Sequence, residues 1–84
     1  MGDVAISLKV TPDGTDVDLE NLTEKIAGEF PVEDSDTEEI GFGLTALKLL
    51  IVRDEDEGGT DDIENYISDM KGVTSVTVEN VSLL

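Results

Sequence analysis

The chain has 84 residues, enough for one hydrophobic core, and a chain this short hides only roughly 60 to 65% of its unfolded surface. Its 21 acidic residues against 5 basic ones leave a net charge of −16, which argues against direct contact with nucleic acid or an anionic membrane surface. With no Cys and no His there is no disulfide framework, no thiolate nucleophile, no zinc site of the usual kind and no imidazole base, so most enzyme chemistries are excluded.

High charge with few aromatics (Phe30, Phe42, Tyr66) is also the composition of disordered chains. The apolar residues argue for folding, because they recur at regular spacings. In a folded body the excess charge repels itself unless salt screens it, so the composition predicts adaptation to a salty cytoplasm. No cationic leader and no long apolar run is present, and a soluble cytoplasmic protein is expected.

Val4, Ile6, Leu8 and Val10 alternate with Ala5, Ser7 and Lys9, the pattern of a half-buried strand, which Thr11-Pro12-Asp13-Gly14 ends with turn chemistry. Leu19, Leu22, Ile26 and Phe30 then recur at helical spacing. Asp18 is the expected N-cap, with Val17 stapled against Leu22, and the helix is expected to end near Phe30-Pro31. Val32 to Glu39 carries five acids and reads as a loop leading into a short edge strand, where charge resists edge-to-edge pairing. Gly41 and Gly43 interrupt any helix, and Leu47, Leu49 and Ile51 alternating with Lys48, Leu50 and Val52 suit a central strand. Asp54 to Gly59 forms a polar turn. Thr60 is then expected to cap a helix with Asp61 and Asp62 in its first turn, an apolar stripe of Ile63, Ile67 and Met70, Lys71 in its last turn and Gly72 as its stop. Val76 and Val78 alternate with Ser75 and Thr77 as a final strand.

The order β-α-β-β-α-β predicts an α+β, ferredoxin-like split βαβ sandwich: a four-stranded antiparallel sheet with two helices on one face. The open face offers Ser7, Lys9, Lys48 and Leu50, too few aromatic and basic groups for RNA stacking. Gly41-Phe42-Gly43-Leu44-Thr45-Ala46 has the letters of a dinucleotide fingerprint, but strand-like residues follow it where a helix is required. A hairpin turn fits better, either with Phe42 as core or with the ring standing clear as an anchor for a partner. Asp54-x-Asp56 opens like a calcium loop, yet the twelfth position is Asn65 rather than a bidentate Glu. Among 21 acids no catalytic pair stands out. No metal or cofactor site is expected.

Met1-Gly2-Asp3-Val4, Asp16-Val17-Asp18-Leu19, Ile40-Gly41-Phe42-Gly43-Leu44-Thr45-Ala46-Leu47-Lys48 and Gly58-Gly59-Thr60-Asp61 together resemble the archaeal elongation factor 1-beta family over essentially the whole chain. The resemblance implies one ferredoxin-like exchange domain spanning residues 1–84. Its implied role is that of a guanine-nucleotide exchange factor for elongation factor 1-alpha, the GTPase that brings aminoacyl-tRNA to the ribosome. GDP and GTP are then met only through that partner, and no covalent chemistry is involved. Such a factor binds the empty GTPase better than the loaded one, a reciprocal coupling. By resemblance Phe42, between Gly41 and Gly43, matches the family aromatic that enters a pocket on the GTPase, and the tail Leu83-Leu84 works near its Mg²⁺ site. Leu83 stands where eukaryotic members carry a Lys, so displacement of the ion by a Lys is not implied here; packing or a terminal carboxylate are the options left to the tail. The competing reading from composition is a ferredoxin-like regulatory module that holds a small ligand between subunits and exchanges nothing.

Overall fold

A computed structural model describes residues 2–57 and 59–84. Met1 and Gly58, which belong to two of the segments that carry the resemblance, lie outside the described residues. Strand β1 (Asp3–Pro12) is followed by helix α1 (Leu19–Ala27), strands β2 (Val32–Gly41) and β3 (Leu44–Asp54), a 3-10 turn (Glu55–Glu57), helix α2 (Asp61–Ser68) and strand β4 (Val73–Leu83). All pairings are antiparallel and the spatial order is β2-β3-β1-β4, the split βαβ plan expected from periodicity.

The alternation read along β1 sorts its side chains between the two faces. Ile6, Leu8 and Val10 meet Leu47, Leu49 and Ile51 of β3 under Leu22 and Ile26 of α1 and Ile63 and Ile67 of α2. Each such aliphatic side chain contributes about 1.5–3 kcal/mol on burial. That one-sided core leaves the other face of the sheet open.

Helix α1 starts as predicted: Asp18 Oδ1 accepts the Asn21 N–H at 3.2 Å, and Val17 packs against the core. It stops at Ala27, short of the expected Phe30, because Gly28 weakens the last turn and Pro31 forbids its continuation. The Phe30 N–H still reaches the Ile26 carbonyl at 2.9 Å, and the ring packs against the core from beyond the helix end. Helix α2 likewise ends at Ser68, with Asp69 as its C-cap, so Met70 and Lys71 follow the helix. Thr60 holds the N-cap position without capping through its side chain, because its backbone (φ −106°, ψ −5°) is not in the extended region a side-chain cap needs; its hydroxyl donates to Glu64 Oε1 at 2.8 Å.

The larger departure is β2. The acidic stretch expected to be mostly loop is strand from Val32 onward, paired with β3 from Val32↔Ile51 to Gly41↔Leu44. Only Val32 and Ile40 along it are even partly buried, so its own pattern carries no strand signal. The backbone ladder offered by β3 decides its conformation. Strand β4 is also longer than the Val76–Val78 signal, running through a bulge near Glu79 to Leu83.

Candidate functional site

Phe42 and Gly43 form the two-residue connection of the β2–β3 hairpin, and Gly41, Phe42 and Gly43 have φ of +100°, +55° and +77°. Two central residues at positive φ are what a type I′ turn needs, the turn whose twist matches that of the paired strands. The expected hairpin is therefore present, and the dinucleotide-loop alternative is excluded because β3 follows directly. Phe42 is the one non-glycine residue at positive φ among the described residues, a conformation that costs a side-chain-bearing residue about 1–2 kcal/mol.

That strained residue holds its ring in solvent. Phe42 is exposed at 102% of its reference area, so the core alternative for this side chain is wrong. Nothing lies within 4 Å of where a Cβ on Gly41 would stand, while a Cβ on Gly43 would meet Thr15 Cγ2 at 3.6 Å. The ring thus projects from a turn that is bare on one side and backed by the β1–α1 loop on the other. Glu38 and Glu39 precede the turn along β2, and Asp13 and Asp16 are exposed in the β1–α1 loop.

Leu83 and Leu84 lie elsewhere. Leu83 pairs with Val4, which pairs with Arg53 at the far end of β3, and the Leu84 N–H donates to the Asp3 carbonyl at 2.9 Å. Both leucines are 74% exposed. The five residues singled out from sequence therefore lie in two groups at opposite ends of a body 42 Å long: Gly41, Phe42 and Gly43 at one, Leu83 and Leu84 at the other.

Two charged clusters were not anticipated. Arg53 occupies the inward phase of β3, after Leu47, Leu49 and Ile51; its side chain is only 7% exposed, and Nη1 donates to both oxygens of Asp62 at 3.0 and 3.1 Å. The guanidinium also sits 5.7 Å from the centre of the Phe30 ring, whose edge-to-face partner is Tyr66 at 5.6 Å. The hydrogen bond from Arg53 holds the Asp62 carboxyl below its ordinary value. A lone Arg in phase with three core residues was the available signal. It ties α2 to β3 from within.

On the open face Lys9 and Lys48 stand directly opposite each other on β1 and β3, a repulsive pairing. Glu38 of β2 bridges them, at 3.2 Å from Lys9 and 3.7 Å from Lys48, and Glu79 of β4 takes Lys48 at 2.8 Å. The bond from Lys9 lowers the Glu38 pKa, and the bond to Glu79 raises that of Lys48. The chain of ion pairs crosses all four strands. A shallow groove of about 310 Å³ beside it is lined by Ser7, Asp34, Asp36 and Leu50, among others. At the calcium-like turn the Asp56 N–H is taken by Asp54 Oδ1 at 2.8 Å, and no group of three or more metal-binding side chains occurs among the described residues. No helix among them is long and apolar enough to cross a membrane.

Comparison with known proteins agrees with this frame. Among solved structures, the ACT domain from GTP pyrophosphokinase of Chlorobium tepidum superposes with a TM-score of 0.68 over 95% of this chain and 91% of its own, at 14% identity, a likeness of fold alone. The elongation factor 1-beta of Methanocorpusculum labreanum is 39% identical over 85 residues, covering 100% of this chain and 99% of that protein. That of Aeropyrum pernix is 44% identical over 87 residues (98% and 97%), and that of Halobacterium salinarum 40% identical over 88 residues (100% of each). A family model described as the EF-1 guanine nucleotide exchange domain matches residues 5–84. With that match over nearly its whole length and with full-length relatives at this level of identity, the chain belongs to the EF-1 guanine nucleotide exchange domain family.

Proposed function

We propose that the protein seats the Phe42 ring in a pocket of elongation factor 1-alpha and so weakens that GTPase's hold on GDP. The family's activity, release of GDP and loading of GTP during translation elongation, supplies the function. The observation that carries the residue assignment is the fully exposed ring on a left-handed, glycine-flanked turn. Burying it on a partner contributes the apolar area that water now covers. The net charge of −16 favours a basic surface around the receiving pocket, and such complementarity mainly speeds encounter.

The exchange needs no bond made or broken. A GTPase grips its nucleotide through phosphate-cradling backbone groups and Mg²⁺. A factor that binds the empty form more tightly than the loaded form lowers nucleotide affinity by the same ratio, as linkage requires. Since the Phe42 and Leu83-Leu84 ends lie so far apart, contact at both requires the GTPase to be gripped along the 42 Å axis of the body. Leu83 carries no charge, so displacement of Mg²⁺ by a Lys is not part of this reading. GDP and GTP are met only through the GTPase, in the cytoplasm where translation proceeds.

A photoreactive aromatic residue in place of Phe42 tests the assignment. Irradiation with the nucleotide-free GTPase is expected to give an adduct at position 42, and the same probe at Tyr66, on the helix layer, to give none. An adduct at Tyr66 without one at 42 would move the docking surface to the helices.

A further inference from the structure

The two edges of the sheet differ in chemistry. Strand β2 carries Glu33, Asp34, Asp36, Glu38 and Glu39, a dressing of charge that discourages a further strand. Strand β4 carries one charged residue, Glu79, which lies at the bulge and is engaged by Lys48. Beyond the bulge Val81 and Leu83 are 51% and 74% exposed. They face Ile6 and Val4, so they lie on the helix side of the sheet where no helix covers them.

The ladder fixes which backbone groups are unused. The Leu84 N–H points to Asp3, so by the alternation of an antiparallel pair Ser82 and Asn80 also point to β1, while the N–H and C=O groups of Val81 and Leu83 point outward. Asp3 and Asp54, opposite one another, and exposed Asp56 add negative charge at the same end.

We infer that the free edge of β4 from Val81 to Leu84 is a strand-addition site for an extended segment of the GTPase that carries apolar residues and Lys or Arg. An outward row of N–H and C=O groups at strand spacing is met in register only by another extended chain. The apolar residues cover Val81 and Leu83 on the helix side, and the basic ones, on the alternate phase of the added strand, answer Asp3 and Asp54 on the open face. A second copy of this chain is the poorer occupant, because it brings the same acids and another −16 of charge. The inference rests on the docking reading above.

Val81→Pro removes an outward N–H and leaves the ladder to β1 intact, a setting in which a strand tolerates proline. Val81→Ala keeps the N–H and shortens the side chain. Affinity for the nucleotide-free GTPase is expected to fall about tenfold or more in Val81→Pro and at most about threefold in Val81→Ala, as for loss of a backbone hydrogen bond with its neighbouring contacts. Should Val81→Pro fail to fold, amide hydrogen exchange of the wild-type complex decides: Val81 and Leu83 gain protection if the edge is paired, and unchanged exchange there overturns the inference. It is also overturned if Val81→Pro binds like wild type, if Val81→Ala loses as much as Val81→Pro, or if sedimentation shows a self-dimer that Val81→Pro dissociates. Wild type that leaves GDP release unchanged removes the docking reading itself, whereas a Val81→Pro variant that binds normally removes only strand addition.

Discussion

Phe42 and Leu83 stand at opposite ends of the sheet, separated by the run of β3 from Leu44 to Arg53, roughly 30 Å at about 3.3 Å per residue. Side chains so far apart share no neighbours. The losses in exchange caused by Phe42→Ala and Leu83→Ala should therefore add in the double variant to within about 0.5 kcal/mol. Comparison of kcat/KM for exchange across the four proteins checks this. A larger coupling would mean that both side chains serve one contact region.

The strain at Phe42 predicts a conflict between stability and function. Phe42→Gly removes the left-handed penalty, offset in part by the greater freedom of glycine in the unfolded chain, and should leave stability unchanged or raise it by up to about 1 kcal/mol. Exchange should fall in the same variant. Urea unfolding alongside an exchange assay tests both. A clear loss of stability would show that the ring supports the fold.

Arg53 and Asp62 set the acid limit of stability. A carboxyl held below its ordinary value of 3.8 contributes stability that is present above that value and is lost as pH falls through the lowered one. Asp62→Asn leaves a buried guanidinium without its carboxylate. Because Asp62 itself is 55% exposed, the cost at neutral pH should be about 1–2 kcal/mol, below the ~3–5 of a fully buried pair. Urea titrations should find that the gap between variant and wild type narrows as pH falls below the ordinary carboxyl value of 3.8. At the alkaline end, the raised Lys48 contributes stability below 10.5 that is lost as pH rises through its higher folded value.

Salt acts on two opposed terms. It weakens the ion pairs joining Lys9, Glu38, Lys48 and Glu79, which are exposed and individually weak. It also screens the mutual repulsion of a chain carrying −16, as the Debye length falls from about 10 Å to 3 Å between 0.1 M and 1 M. The second term involves the whole surface and should dominate. Calorimetry should find Tm rising as KCl increases from about 0.1 M to 2 M; a flat or falling Tm would rule out a salt-adapted surface.

Where apolar side chains carry the pattern, the fold was legible from sequence. The alternation through β1 and β3, the Asp18 cap, and the glycines around Phe42 each encode their structure locally. β2 was not legible, since its acids lack a buried phase and its conformation comes from hydrogen bonds to a strand later in the chain. The flanking glycines pointed to the turn but left the ring either core or exposed, and only the folded geometry decides. The separation of Phe42 from Leu83 could not be read from either segment alone, because it depends on strand order; the bulge in β4 then sets the face that Val81 and Leu83 take. Arg53 shows the same limit: an inward-phase cation is visible in the sequence, but its Asp62 and Phe30 neighbours emerge only from packing.

The most direct test of the Phe42 anchor is stopped-flow release of mant-GDP from the GTPase. Wild-type protein should accelerate release, and Phe42→Ala should slow it by about tenfold or more, the loss of a central aromatic anchor, with an unchanged melting curve. Release as fast with Phe42→Ala as with wild type would contradict the anchor.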